Sequence, residues 1–273
     1  MVREAYRSLY GDLRKLKDNS LLDDPAAGDG DDDELFELLL AVSAWVDAYC
    51  NRCFYPLTAT RLFDGTGGAR LPVPDLVSLT SLTHRPDGGE AGEAWAPGDY
   101  ALEPYNADPS MPWGAPYGSI LALGRGERHA FEAGRRNYEV SGVWGYGQLA
   151  EPSGASVAAL GGMDAAQTAV AVDDGARFAP GQTLLLGAEQ ALVMAVSGST
   201  LTVRRALNGT TAAAHAQGAG VSLLRWPAPV ERAALINAAR IWTRAPAFEP
   251  FYVDADLDTD VRLLLDPYRR TAT

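Results

Sequence analysis

The sequence predicts an α+β protein, with a helical core formed by N- and C-terminal helices and inserted antiparallel β domains, one of them a small barrel- or sandwich-like module. Three observations predict it. Apolar residues recur at helical spacing near both ends, period-two runs bounded by turn residues fill the middle, and a second set of short strands with tight turns follows a small-residue stretch. With 273 residues, 47% apolar and 21% charged, the chain is long enough to bury one large core or two small ones.

Residues 1–56 form the first segment. Leu9, Leu13 and Leu16 predict a short amphipathic helix over Tyr6–Lys17. Asp23–Asp33, with Pro25, Gly28, Gly30 and six aspartates, solvates its own backbone and reads as a loop. From Asp31, Leu35, Leu38, Val42, Trp45 and Tyr49 recur at helical spacing behind acidic residues that suit a helix N-terminus. That helix should end near Asn51, because the residue before Pro56 is pushed out of the α region.

Residues 57–150 read as a β-rich extension, with strands at Thr58–Phe63, Leu76–Thr83, Ser119–Leu123 and Asn137–Val143. Asp64-Gly-Thr-Gly-Gly68 predicts a hairpin connection into Leu71-Pro-Val73. A small-residue linker spans Glu151–Gly162. The module over 163–225 carries strands at Thr168–Val172, Gln182–Leu186, Ala191–Val196, Thr200–Arg204 and Gly220–Leu224. Its turns, Asp173-Asp-Gly175, Ser197-Gly-Ser199 and Asn208-Gly209, supply positive-φ positions. Residues 226–273 return to helix. Pro229 suits a first helical position, Leu235, Ala238, Ala239 and Trp242 follow on one face until Pro246, and a last helix over about Asp258–Leu265 stops at Pro267.

A net charge of −12 with a pI near 4.7 argues against a protein that coats nucleic acid, since that affinity comes from Lys and Arg displacing counterions. No run approaches the ~18 apolar residues of a membrane span, and the first twenty residues lack a signal peptide's apolar core, so the expectation is a cytoplasmic product. Catalytic signatures are missing. His84, His129 and His215 lie far apart and read as surface or loop residues, and neither a nucleophile elbow nor a phosphate loop occurs. Asp29, Asp31 and Asp33 begin like a calcium loop, but Glu34 replaces the required glycine and Leu40 the bidentate glutamate. Cys50-Asn-Arg-Cys53 has redox or zinc spacing without further ligands, so both thiols read as half-buried and structural. Trp45 and Trp242 read as core residues. The expectation is therefore no enzyme, no cofactor and no metal.

The order of the segments resembles the head-tail connector (head-completion, or adaptor) proteins of tailed bacteriophages. The long helix Asp33-Glu-Leu-Phe-Glu-Leu-Leu-Leu-Ala-Val-Ser-Ala-Trp-Val-Asp-Ala-Tyr-Cys50 leads into Asn-Arg-Cys-Phe-Tyr-Pro56, which looks like that family's R-x-F-Y-P-type exit. Pro229–Trp242 and Asp258–Arg270 resemble its C-terminal helices, while Phe63–Gly68, Leu71–Thr80 and Val143-Trp-Gly-Tyr-Gly147 resemble the β extension of longer members. Asp173–His215 looks like a β module recurring in phage virion proteins, a departure from the minimal, nearly all-helical family.

The resemblance implies a homo-oligomeric ring of twelve subunits at the neck of the virion, assembled in the host cytoplasm. Such a ring joins the portal protein to a tail or neck protein, either tail terminator or tail hub. DNA passes through its lumen without specific binding, and no membrane is involved. An acidic lumen suits that passage, since like charges 10 Å apart repel by only about 0.4 kcal/mol in water. By the same resemblance, Arg262, Tyr268, Arg269 and Arg270 are the candidates for portal docking, offering fixed charges and an aromatic anchor of the kinds enriched at interface hot spots. The other reading of these residues is a basic, frayed tail after Pro267. An alternative function is glycan or surface binding through Trp95, Trp113, Trp144 and tyrosines in loops.

Overall fold

Period-two sequence in the middle of the chain and helical periodicity at its ends give an α+β protein that is mostly sheet, with two six-stranded antiparallel sheets and few helices. The computed structural model describes residues 6–18, 29–86, 92–124, 128–244 and 259–271. The chain divides into two compact units, Cys53–Leu149 and the combination of Met1–Arg52 with Ala150–Thr273.

In Cys53–Leu149, the strands are β1 (Leu57–Gly65), β2 (Arg70–His84), β3 (Glu93–Ala94), β4 (Tyr100–Glu103), β5 (Tyr117–Ala122) and β6 (Gly134–Trp144). They lie in the order β1-β6-β2-β5-β4, with β3 on β2. The expected β1–β2 hairpin is not formed. β6 lies between the two strands, pairing Phe63 with Tyr138 on one side and His84 with Tyr138 on the other. The connecting loop instead pairs with Phe131, through Gly67 N–H to its carbonyl and its N–H to the Gly68 carbonyl. Glycine is required at the end of β1, because a Cβ on Gly65 would fall 1.8 Å from the Glu132 carbonyl oxygen. Alternate residues of β6, including Tyr138, Val140 and Trp144, face a core shared with Leu71, Leu76, Leu82, Trp95, Ile120 and Phe131. The register of β2 shifts at Pro72/Leu76, Leu76/Ser78 and Leu79/Ser81, so this 15-residue strand bends with its sheet.

In the other unit, Tyr6–Asp12 is not helical. Tyr10 N–H donates to Ser43 Oγ at 2.9 Å, and a Cβ on Gly11 would crowd Leu235 at 2.9 Å. The helix α1 covers only Leu13–Lys17, starting where Asp12 Oδ1 accepts the Lys15 N–H at 2.9 Å. Leu9, Leu13 and Leu16 are nonetheless all buried. Most of the acidic loop expected before the second helix lies outside the described residues.

The helix α2 (Asp32–Cys50) begins with Asp32, Asp33 and Glu34 in its first turn and ends at Asn51, whose φ of 52° is left-handed. Its buried stripe is Leu35, Leu39, Val42, Val46 and Cys50, turned from the one expected, so that Leu38 and Tyr49 are half-buried and Trp45 is exposed. Alanines 233, 234, 238 and 239 of α3 (Ala228–Arg244) are buried, and α3 packs against α2 and α4 (Thr259–Leu265).

Six strands complete this unit: β7 (Leu149–Ser156), β8 (Ala169–Ala171), β9 (Thr183–Leu186), β10 (Glu189–Ser197), β11 (Thr200–Arg204) and β12 (Gly220–Arg225), in the order β7-β12-β9-β10-β11-β8. The stretch expected as a linker thus contributes β7. A bridge between Val157 and Val172 joins the sheet's two ends, so it closes around Met163, Val170, Phe178, Leu184, Val193, Leu201, Val221 and their neighbours.

Candidate docking site at the C-terminal tail

Val261 and Leu265 point the α4 helix into the core, and Asp260 in its first turn holds Arg240 through two hydrogen bonds of 2.7 and 2.6 Å. That leaves Arg262 exposed and Leu263 70% exposed on the opposite side. Pro267 then tightens the chain into a 3₁₀ turn over Asp266–Tyr268, after which Arg269 is extended. Arg270 N–H donates to the Cys50 carbonyl at 2.9 Å, supplying a partner to one of the last carbonyls of α2.

An aromatic ladder on α2 receives this tail. Trp45 stacks on Tyr49 at 5.2 Å, the Tyr49 hydroxyl donates to Asp266 Oδ1 at 2.6 Å, and the Arg269 guanidinium lies 4.9 Å from the Tyr49 ring centre. Burial and then the Asp266 carboxylate raise the Tyr49 pKa, while the charges of Arg269 and Arg262 pull it back. The fold thus gathers Arg262 and Arg269 around Tyr49, with the Arg269 guanidinium 3.9 Å from Asp266. Tyr268 and Arg270 are half-buried. Sequence reasoning missed Trp45 and Tyr49 here because helical spacing assigned them to the core. Their i, i+4 separation on the helix was the available signal.

One of the three histidines is not the surface or loop residue expected, while His215 does lie in a loop, between Gly209 and β12. His84 is buried, stacked on Tyr138 at 4.6 Å, with Asn137 Nδ2 3.4 Å from its Nε2. His215 Nε2 contacts Glu189 Oε2 at 2.9 Å within a buried network inside the closed sheet's unit. There Arg205 uses all five of its donors: two on Glu189 at 2.5 and 2.6 Å, and three on the carbonyls of Asp164, Gln167 and Ala213. Burial would raise the Glu189 carboxyl, but Arg205, His215 and the Ala213 N–H outweigh it and hold it at about 2. With its donors and acceptors consumed, this network clamps loops together. His129 is exposed.

Cys50 is fully buried, which pushes its thiol up to about 11, and Cys53 is half-buried; neither forms a disulfide. Among the described residues, no group of three His, Cys, Asp or Glu side chains could hold a metal ion, and no helix is long and apolar enough to cross a membrane. Of the aromatics proposed as a glycan platform, Trp95 and Trp144 are core residues, whereas Trp113 and the loop residue Tyr105 are exposed. Comparison with protein-family profiles, curated proteins and solved structures found no match to this chain.

Proposed function

We propose that this chain is a structural virion protein of the bacteriophage neck, one subunit of a twelve-membered ring that joins the portal to the tail and lets DNA pass. The observation that carries the reading is the tail. In the finer reading of the fold, α2, α3 and α4, drawn from both ends of the chain, form the helical core of a connector. The C-terminal residues are fastened to the end of α2 by the Arg270–Cys50 hydrogen bond and the Tyr49–Asp266 contact. Fixing a segment before it meets a partner lowers the entropy cost of docking. It presents Arg262, Leu263 and Arg269, two permanent cations beside an apolar side chain, with Tyr268 and Arg270 behind them as the remaining portal-docking candidates.

Repeated docking sites on a portal ring make weak individual contacts sufficient, because each bound subunit raises the effective concentration of the next. The acidic composition fits a conduit that must not grip phosphate. The glycan-binding alternative loses support with the burial of Trp95 and Trp144.

The test is co-sedimentation with the portal protein encoded in the same genome, followed by particle imaging. A ring at one pole of the portal is expected. Absence of association at saturating protein across several salt concentrations would overturn the reading.

A further inference from the structure

Trp113 is 81% exposed, and Tyr105 and Met111 of the same loop are 62% and 44% exposed. The loop that carries them is held in one shape. Asp108 accepts from Ser110 N–H at 3.1 Å and from its hydroxyl at 2.5 Å, Met111 N–H reaches the Asp108 carbonyl at 3.1 Å, and Gly114 N–H the Met111 carbonyl at 2.9 Å. A Cβ on Gly114 would lie 1.6 Å from the Asp108 carbonyl oxygen, so glycine is obligatory in this turn. Gln148 N–H ties the loop down at the Pro109 carbonyl, 2.9 Å away. A rigid knob of Trp, Tyr and Met has already lost the conformational entropy that binding would otherwise remove, and these residue types are enriched at interface centres.

The other unit of the same chain has a groove of about 330 Å³ whose apolar walls include Leu13, Phe178, Pro180 and Val196. Of its charged lining Lys17 is paired with Asp32, which leaves the exposed Arg14 as the cation. The knob's remaining charge is of the opposite sign: Glu103 at its base is neutralised by Arg70 at 2.7 and 3.1 Å, and Asp108 is exposed.

We propose that the Trp113 loop of one copy inserts into this groove on a second copy, making the contact between neighbouring subunits. Knob and groove are different surfaces, so the contact is heterologous and propagates head to tail, closing into a ring when the rotation permits. The inference rests on the ring reading for its biological use, but its chemistry is testable on the isolated protein.

Trp113→Ala removes the knob and Ala176→Glu blocks the groove at an exposed lining position. Both sites are on the surface, and unchanged circular dichroism checks that the variants fold. In concentrated solution, sedimentation velocity is expected to show self-association of the wild type, weakened about thirtyfold or more in each variant. Mixing the two variants restores one intact contact and gives 1:1 dimers without larger species. A photo-crosslinker placed at position 111, with Trp113 intact, is expected to label peptides 13–17, 175–180 or 196–198. A wild type that stays monomeric at its solubility limit, variants that associate as it does, or labelling elsewhere would each overturn the inference. Portal co-sedimentation of Trp113→Ala separates the two ideas. Portal binding combined with any of those failures sinks only the knob and groove, whereas loss of portal binding by the wild type sinks the neck reading.

Discussion

Asp47 on α2 is a carboxylate whose side chain is 13% exposed, accepting from the Tyr10 hydroxyl with Arg7 3.8 Å away. Burial raises its pKa to about 7, with Tyr10 and Arg7 pulling against the shift. Because the folded state holds this proton more tightly than the unfolded chain, its contribution to stability is fully present below pH ~4 and is lost as pH rises through about 7. Asp47→Asn should therefore flatten the fall in urea midpoint between pH 5 and 8 relative to wild type; parallel curves would refute the assignment. Glu189 has the opposite sign. Its lowered pKa gives stability that is present above about 4.5 and lost as pH falls through about 2. Removing one member of a buried ion pair leaves the other uncompensated, so Glu189→Gln should cost about 3–5 kcal/mol in chemical denaturation at pH 7. Neither group was identifiable from sequence. Burial and the approach of residues distant along the chain set both values, and local pattern does not report either.

Deleting residues 267–273 removes the Arg270–Cys50 hydrogen bond and the cation above Tyr49 while leaving α4 in place. The expected result is a loss of about 1–2 kcal/mol in stability, read by urea unfolding, together with weakened portal association. Unchanged portal association in a folded truncation would remove the docking assignment. In β6, Trp144 is fully buried and donates Nε1–H to the Ala59 carbonyl at 2.8 Å. Trp144→Ala should cost about 3–5 kcal/mol through the cavity it leaves. The strands over 58–63 and 137–143 were legible from their alternation, yet their partners were not, because a glycine-rich loop is compatible with a hairpin and with a strand inserted beside it. The helix α2 was legible with both ends, through its acidic start and Pro56, but its buried face was misjudged. Leu38, Trp45 and Tyr49 share its periodicity with Leu39, Val46 and Cys50, and only the position of α3 chooses between them.

For the molecule as a whole, the two sheets have separate apolar cores, one centred on Trp144, Tyr138 and Phe131 and the other on Phe178, Leu184 and Val193. Separate cores predict more than one cooperative transition on heating. Scanning calorimetry should show Trp144→Ala lowering one transition and Glu189→Gln another, and a single transition shifted by both would contradict independent cores.

Composition and local pattern suffice for the α+β class, the helix grammar at both ends, most strand positions and the arginine-rich tail. Those features follow from local periodicity, turn chemistry and proline. Only the fold set the insertion of β6 between β1 and β2, the closure of the second sheet through Val157 and Val172, and the burial of His84. It also decided the meeting of the tail with Tyr49 and the exposure of Trp113. Each depends on contacts between residues far apart in the chain, where one apolar or polar side chain has several acceptable partners and the packing of the whole unit selects among them.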